Sequence, residues 1–205
     1  GLIIEPSRSQ ILCHHMDLYK KMDRENIPYV FIHSTYPLMA DKPKVLVDDV
    51  YGGYILTRHL IATGRTKIAG VFKADDSRGY DRHRGYVKAL QEAGLAYDPE
   101  MVLWYHTEDG YRRPGIALEQ LMNDKPSIDG IVCYNDIMAG NILYILISKG
   151  IRIPEDVAVV GFDNREIASY LQPPLTTIAL PTPEIGTRAA LHIIDMINNP
   201  STHPV

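Results

Sequence analysis

The sequence predicts an α/β fold, doubly wound around parallel sheets. Three observations predict it. Short β runs alternate with helical stretches from end to end, most of those runs are near-continuous Val/Ile segments, and glycine or proline marks many of the changes. Unbroken apolar runs are what strands need when helices cover both faces of a parallel sheet.

The elements follow in order. Residues 2–5 open the chain as a strand, and 9–24 read as the helix after it. Strands at 29–33 and 45–47 come next, then a helix over 50–63 closed by Gly64. Strand 67–73 leads into helix 78–93, which ends at Gly94. Strand 101–105 precedes helix 111–122, and strand 130–134 precedes helix 137–148, closed by Gly150. After Pro154 come strands 157–162 and 176–180, then a last helix over 184–197. There is no internal repeat and no low-complexity tract.

The 205 residues, 45% of them hydrophobic, suffice for one sizeable core or two small ones. A formal charge of −4 argues against this segment gripping nucleic acid by itself, because phosphate binding needs a basic face. Cys13 and Cys133 are too few and too far apart for a disulfide framework or a zinc site, so they read as reduced thiols of a cytoplasmic protein. No stretch approaches the roughly 18 apolar residues of a membrane helix, and no signal peptide is visible. The opening "GLIIEPS" reads as the middle of a fold rather than its start.

Ligands of open parallel sheets sit at the carboxyl ends of the strands. This chain puts Glu5, His33, Asp48, Asn135 and Asp163 at such ends. Asx residues there also cap the following helix, and Asp136 and Asn164 read as caps of that kind. Five strand ends tipped with hydrogen-bonding groups favour a polar cleft over capping alone.

Catalytic and cofactor signatures do not emerge. No G-x-G-x-x-G or Walker-type loop occurs, and "YGGY" lies inside a helical pattern. His14 and His15 are adjacent, so on a helix they point about 100° apart and cannot share a metal. Asp48–Asp49 and Asp75–Asp76 are sequence neighbours, whereas paired acid/base work needs carboxyls facing each other across a substrate. There is no G-x-S-x-G elbow. The reading is a non-enzyme with no cofactor, no metal and no catalytic residue.

"IVCYNDIMAG", followed by "GIRIPEDVAVVGFDNREIASYLQPPLTTI", resembles the effector-binding domain of the lactose/galactose-repressor family, which shares its fold with periplasmic sugar-binding proteins. "VDDVYGGYILTRHLIATGRTKIA" and "RHRGYVKALQEAGL" match in family order. "GLIIEPS", "FKADDSRG" and "CYND" look most like the arabinose-repressor group of Gram-positive bacteria, whose sugar domain is joined to a winged-helix DNA-binding head.

The resemblance implies two subdomains hinged around a sugar cleft, incomplete at both ends of this chain. The first would comprise residues 1–47 plus 181–199, the second 48–180, with 200–205 a tail. It implies sugar contacts from Glu5 and His33 on the first subdomain and from Arg82, Asn135, Phe162 and Asp163 on the second. Tyr134 and Asp76 join them by adjacency. His33 stands where the family usually has Asp, and Leu180 where several relatives have Asn or Gln, which implies a different sugar or pose. The alternative for His33 is a strand-end histidine facing solvent.

The stretch after Asn135 is apolar in nearly every direction, whereas a helix lying on one sheet needs only a stripe. With the family's dimer contact there, Ile137, Ile142 and Leu146, with Tyr170 and Leu171, are expected at an interface; the alternative is a helix buried in its own domain. The function implied is a cytoplasmic, dimeric sugar sensor of a transcriptional repressor, with a monosaccharide, L-arabinose or another pentose, as effector. It would reach operator DNA through a head outside this chain and touch no membrane. The alternative is a periplasmic sugar-binding subunit of a transporter.

Overall fold

The alternation in "YVFI" sorts one small sheet into two faces. Strands β1 (Leu2–Ile4), β2 (Tyr29–Ile32) and β3 (Lys44–Val45) run parallel in the order β1-β2-β3, with Ile3 opposite Val30 and Phe31 opposite Lys44. Tyr29 and Phe31 point to one face, where Tyr19 of helix α1 (Met16–Arg24) packs with ring centroids 5.6 and 5.7 Å away. Val30 points to the other, against Ala189, Ile193 and Met196 of helix α7 (Thr182–Asn198). Side chains of period two feed both layers.

The computed structural model describes residues 1–199. The chain divides into two units: residues 1–47 with 75–77 and the stretch from Pro181 onward, and residues 48–74 with 78–180. The tail expected at 200–205 lies outside the described residues.

The second unit holds five parallel strands in the order β5-β4-β6-β7-β8. They are β4 (Ile68–Lys73), β5 (Val102–Tyr105), β6 (Gly130–Cys133), β7 (Ala158–Asp163) and β8 (Thr176–Ala179). Helices α2 (Asp49–Ala62) and α3 (Ser77–Glu92) cover one face, burying Leu56, Leu60, Tyr86 and Leu90 against Phe72, Val132, Val160 and Phe162. Helices α4 (Arg112–Asp124) and α5 (Asp136–Ser148) cover the other, burying Leu118, Met138, Ile142 and Leu146 against Val71, Ile131 and Val159. Burial of a side chain of this kind contributes roughly 1.5–3 kcal/mol. Both units are thus doubly wound α/β layers.

Helices α2 and α3 touch backbone to backbone. A Cβ on Gly53 would stand 2.1 Å from the Arg82 carbonyl oxygen, and one on Gly85 would stand 2.0 Å from that of Val50. Part of "YGGY" is therefore a packing surface that seats Arg82.

Several boundaries differ from the sequence reading. Helix α1 starts at Met16 rather than Ser9, because Ser9 is fully buried and bonded to Asp76 and Ser77 across 67 and 68 residues. Strand β3 stops at Val45, so Asp48 ends no strand; its carboxylate accepts the Tyr51 N–H at 2.8 Å and caps α2. The expected caps Asp136 and Asn164 cap nothing. Asn135 is the N-cap of α5, accepting the Met138 N–H at 3.0 Å, and Asp136 is the helix's first residue. A short helix, α6 (Ile167–Tyr170), lies between β7 and β8, in a stretch where the sequence reading placed no element. Among the described residues, no helix is long and apolar enough to cross a membrane.

Candidate functional site

In the second unit, the carboxyl ends of β6 and β7 converge on Arg82. This α3 side chain is 2% exposed. Its Nε donates to Asp49 Oδ1 at 2.7 Å, and one terminal nitrogen donates to the Tyr134 carbonyl. The guanidinium lies 3.6 Å from the Phe162 ring centroid and 4.8 Å from that of Tyr134. Its Nη2 stands 3.8 Å from Asp163 Oδ1. A fixed fork of donors beside aromatic faces is a role lysine could not fill.

Asp163 presents the carboxylate of this wall. It is the last residue of β7, largely buried, with Oδ2 3.5 Å from Arg165 Nε. Its φ is +103° and that of Asn164 is +50°. Left-handed backbone at non-glycine residues costs of order 1–3 kcal/mol each, so neighbouring bonds must hold the turn.

Asp136 supplies those bonds. It is fully buried; Oδ2 accepts the Arg165 N–H at 2.7 Å and Oδ1 accepts the Thr177 hydroxyl at 2.5 Å. The Thr177 oxygen in turn accepts the Asn164 N–H at 3.2 Å. Burial raises the Asp136 pKa, opposed by the bonds from Thr177 and Arg165 and assisted by the nearby charge of Asp163.

Two sequence-derived candidates change role here. Phe162 was expected to offer an aromatic face, but it is 1% exposed, because its alternate position on β7 turns it inward against Gly52 and Arg82. Tyr134 is buried as well, its ring edge-on to Tyr105 at 6.2 Å and beside the Arg82 guanidinium, whose donor its carbonyl accepts. Arg82 is drawn into the wall rather than standing on it. Asn135 stays half-buried and uses Oδ1 as a helix cap. Leu180 packs against the α2–α3 core.

In the first unit, Glu5 and His33 follow neighbouring strands β1 and β2. Glu5 is exposed, while His33 is half-buried with φ +64°. Asp76 is 2% exposed and accepts the Ser9 hydroxyl at 3.1 Å, and Arg8 lies 3.7 Å from Asp75.

Sequence reasoning missed Asp49, Asp136, Thr177 and Ser9. Asp49 carried a signal, an acid in the first turn of a helix; the others acquire their roles only through distant partners. Among the described residues no cluster of His, Cys, Asp and Glu could hold a metal ion.

The expected dimer residues also divide. Ile142 and Leu146 are fully buried in this chain's own core, which corrects their placement at an interface. Leu171 packs on that core beside Gly140, and Ile137 is half-buried. The apolar groups that do face outward are Tyr144 (75% exposed) and Ile147 (50%) on α5, with Ile167 and Tyr170 on α6.

Comparison with known proteins identifies the chain's relatives. An arabinose metabolism transcriptional repressor of Geobacillus stearothermophilus is 39% identical, across 100% of this chain and 57% of that relative. One from Halalkalibacterium halodurans is also 39% identical, across 96% of this chain and 52% of its own length. The solved structure of a transcriptional regulator CelR–cellobiose complex superposes with a TM-score of 0.85 at 30% identity, covering 100% of this chain and 61% of that one. The chain thus spans about half the length of the curated relatives it matches, and these are named as regulators rather than enzymes. The model of the periplasmic binding protein-like domain matches residues 57–205, and the chain belongs to that family.

Proposed function

We propose that this chain is the sugar-sensing part of a bacterial transcriptional repressor, with a pentose, L-arabinose first, as effector. The observation that carries the reading is the 39% identity to two arabinose metabolism repressors across 100% and 96% of the chain. The second-unit wall supports it chemically. Sugar hydroxyls both donate and accept, so Asp163 accepts hydrogen bonds from them while the amide of Asn135 offers a donor. On the first unit, exposed Glu5 and half-buried His33 carry hydrogen-bonding groups of the same kind.

The protein works as a cytoplasmic homodimer and reaches operator DNA through a head outside this chain. Tyr144, Ile147, Ile167 and Tyr170 form the face that a second copy covers. Sugar shifts the protein between two states by its difference in affinity for them, and the DNA-binding head reports the shift. No catalytic step is involved.

Isothermal titration of the protein with L-arabinose and a panel of pentoses and hexoses tests the reading. Binding restricted to hexoses removes the pentose assignment. Binding to no monosaccharide removes the sensing function.

A further inference from the structure

Two consecutive non-glycine residues, Asp163 and Asn164, hold positive φ where β7 meets the candidate wall. Something must keep them there, and among the described residues the following N–H groups are held from the inner side. The Arg165 N–H ends directly on Asp136 Oδ2. The Asn164 N–H ends on the Thr177 oxygen, whose own proton goes to Asp136 Oδ1. Each carboxylate oxygen therefore fixes one of the two peptide groups that follow Asp163. The space for this is made by Gly161, opposite Thr177 in the β7–β8 register, where a Cβ would stand 2.4 Å from Asp136 Oδ1.

We propose that Asp136, through Arg165 N–H and the Thr177 hydroxyl, is a positioning residue that sets the left-handed turn presenting the Asp163 carboxylate to the sugar. It touches no ligand itself. The proposal rests on the sugar-binding reading above and adds to it the groups that aim its acceptor. The last residue of "YND" and the second Thr of "LTTI" thereby form one device, 41 residues apart in sequence. An acid at Asp136 is suited to it because an ionised carboxylate is acceptor-only, and both of its partners donate.

The test uses Thr177→Val and Thr177→Ser in the full protein, since valine keeps the shape of threonine and removes the hydroxyl, while serine restores it. Sugar affinity is measured by titration, and amide hydrogen exchange at Asn164 and Arg165 is measured without sugar. Valine should weaken L-arabinose binding roughly tenfold, a loss of one directed hydrogen bond's order, and speed exchange at Asn164. Serine should return both close to wild type. Asp136→Asn, which keeps one acceptor and adds a donor, should speed exchange at one or both amides and lower affinity. Wild-type affinity in Thr177→Val, or serine behaving no better than valine, overturns the positioning role. If exchange responds as stated but the wild-type protein binds no monosaccharide, the turn device stands and the sugar reading falls.

Discussion

Replacing Arg82 with methionine separates an organising residue from one that merely waits for ligand. Methionine keeps an apolar stem against Phe162 and deletes the charge. The guanidinium and Asp49 are 2% and 5% exposed and 2.7 Å apart, so the pair lies in the interior. Removing one partner of a buried pair costs about 3–5 kcal/mol, mostly through the charge left behind. The Tyr134 carbonyl loses a donor in the same step. Taking about 4 kcal/mol, and about 2–4 °C per kcal/mol for a chain of this size, the melting temperature should fall roughly 10 °C. Calorimetry reads that directly. A second variant, Arg82→Met with Asp49→Asn, should recover a good part of the loss, because the stranded charge is gone; the non-additivity measures the coupling. A fall under about 2 °C for the single variant, or strictly additive losses in the double, would refute the view that Arg82 ties α2, β6 and β7 together.

Three further outcomes follow from the same geometry. Asp163→Gly relieves the positive φ while deleting the acceptor, so its melting temperature should hold or rise while sugar affinity falls at least about tenfold, read by scanning calorimetry and titration on one sample. For pH, the unfolded Asp136 titrates at its ordinary 3.8 and the folded one above it, so in that window the unfolded chain binds fewer protons and stability drops as pH rises. Denaturant titrations should therefore show the stability of Asp136→Asn, relative to wild type, increasing with pH above 3.8 and flat below it. Ile147→Lys should leave the fold intact and give monomer in sedimentation, whereas Ile142→Lys buries an uncompensated charge and should unfold the second unit; a wild-type protein already monomeric would remove the proposed interface.

The fold was readable because its signal is local. Val/Ile runs and glycine stops state where strands and helices lie, and the two sheets follow from that alternation with errors of only a few residues at most ends. The exceptions share one cause. Ser9 looks like an ordinary helix start until Asp76 and Ser77, far along the chain, take its hydroxyl. Phe162 and Arg82 look like two ligand groups until Gly52 lets the ring sink inward and the guanidinium follows it.

Helix α5 makes the same point most sharply. Its all-round apolar surface correctly called for more than one covering partner, but periodicity cannot say who the partners are. The sheet, α4 and α6 supply most of them, enclosing Met138, Ile142, Leu143 and Leu146. Tyr144 and Ile147 are the large apolar groups of α5 left exposed. The opening residues of α5 join the two halves of the problem. Asn135 caps the helix, Asp136 fixes the Asp163 turn from within, and Tyr144 and Ile147 face outward two to three turns later on the same helix. If sugar binds at Asp163 and a second copy covers the outer face of α5, as proposed, Asp136 stands on the helix that carries that face and holds the turn that carries Asp163, so one element joins the two sites.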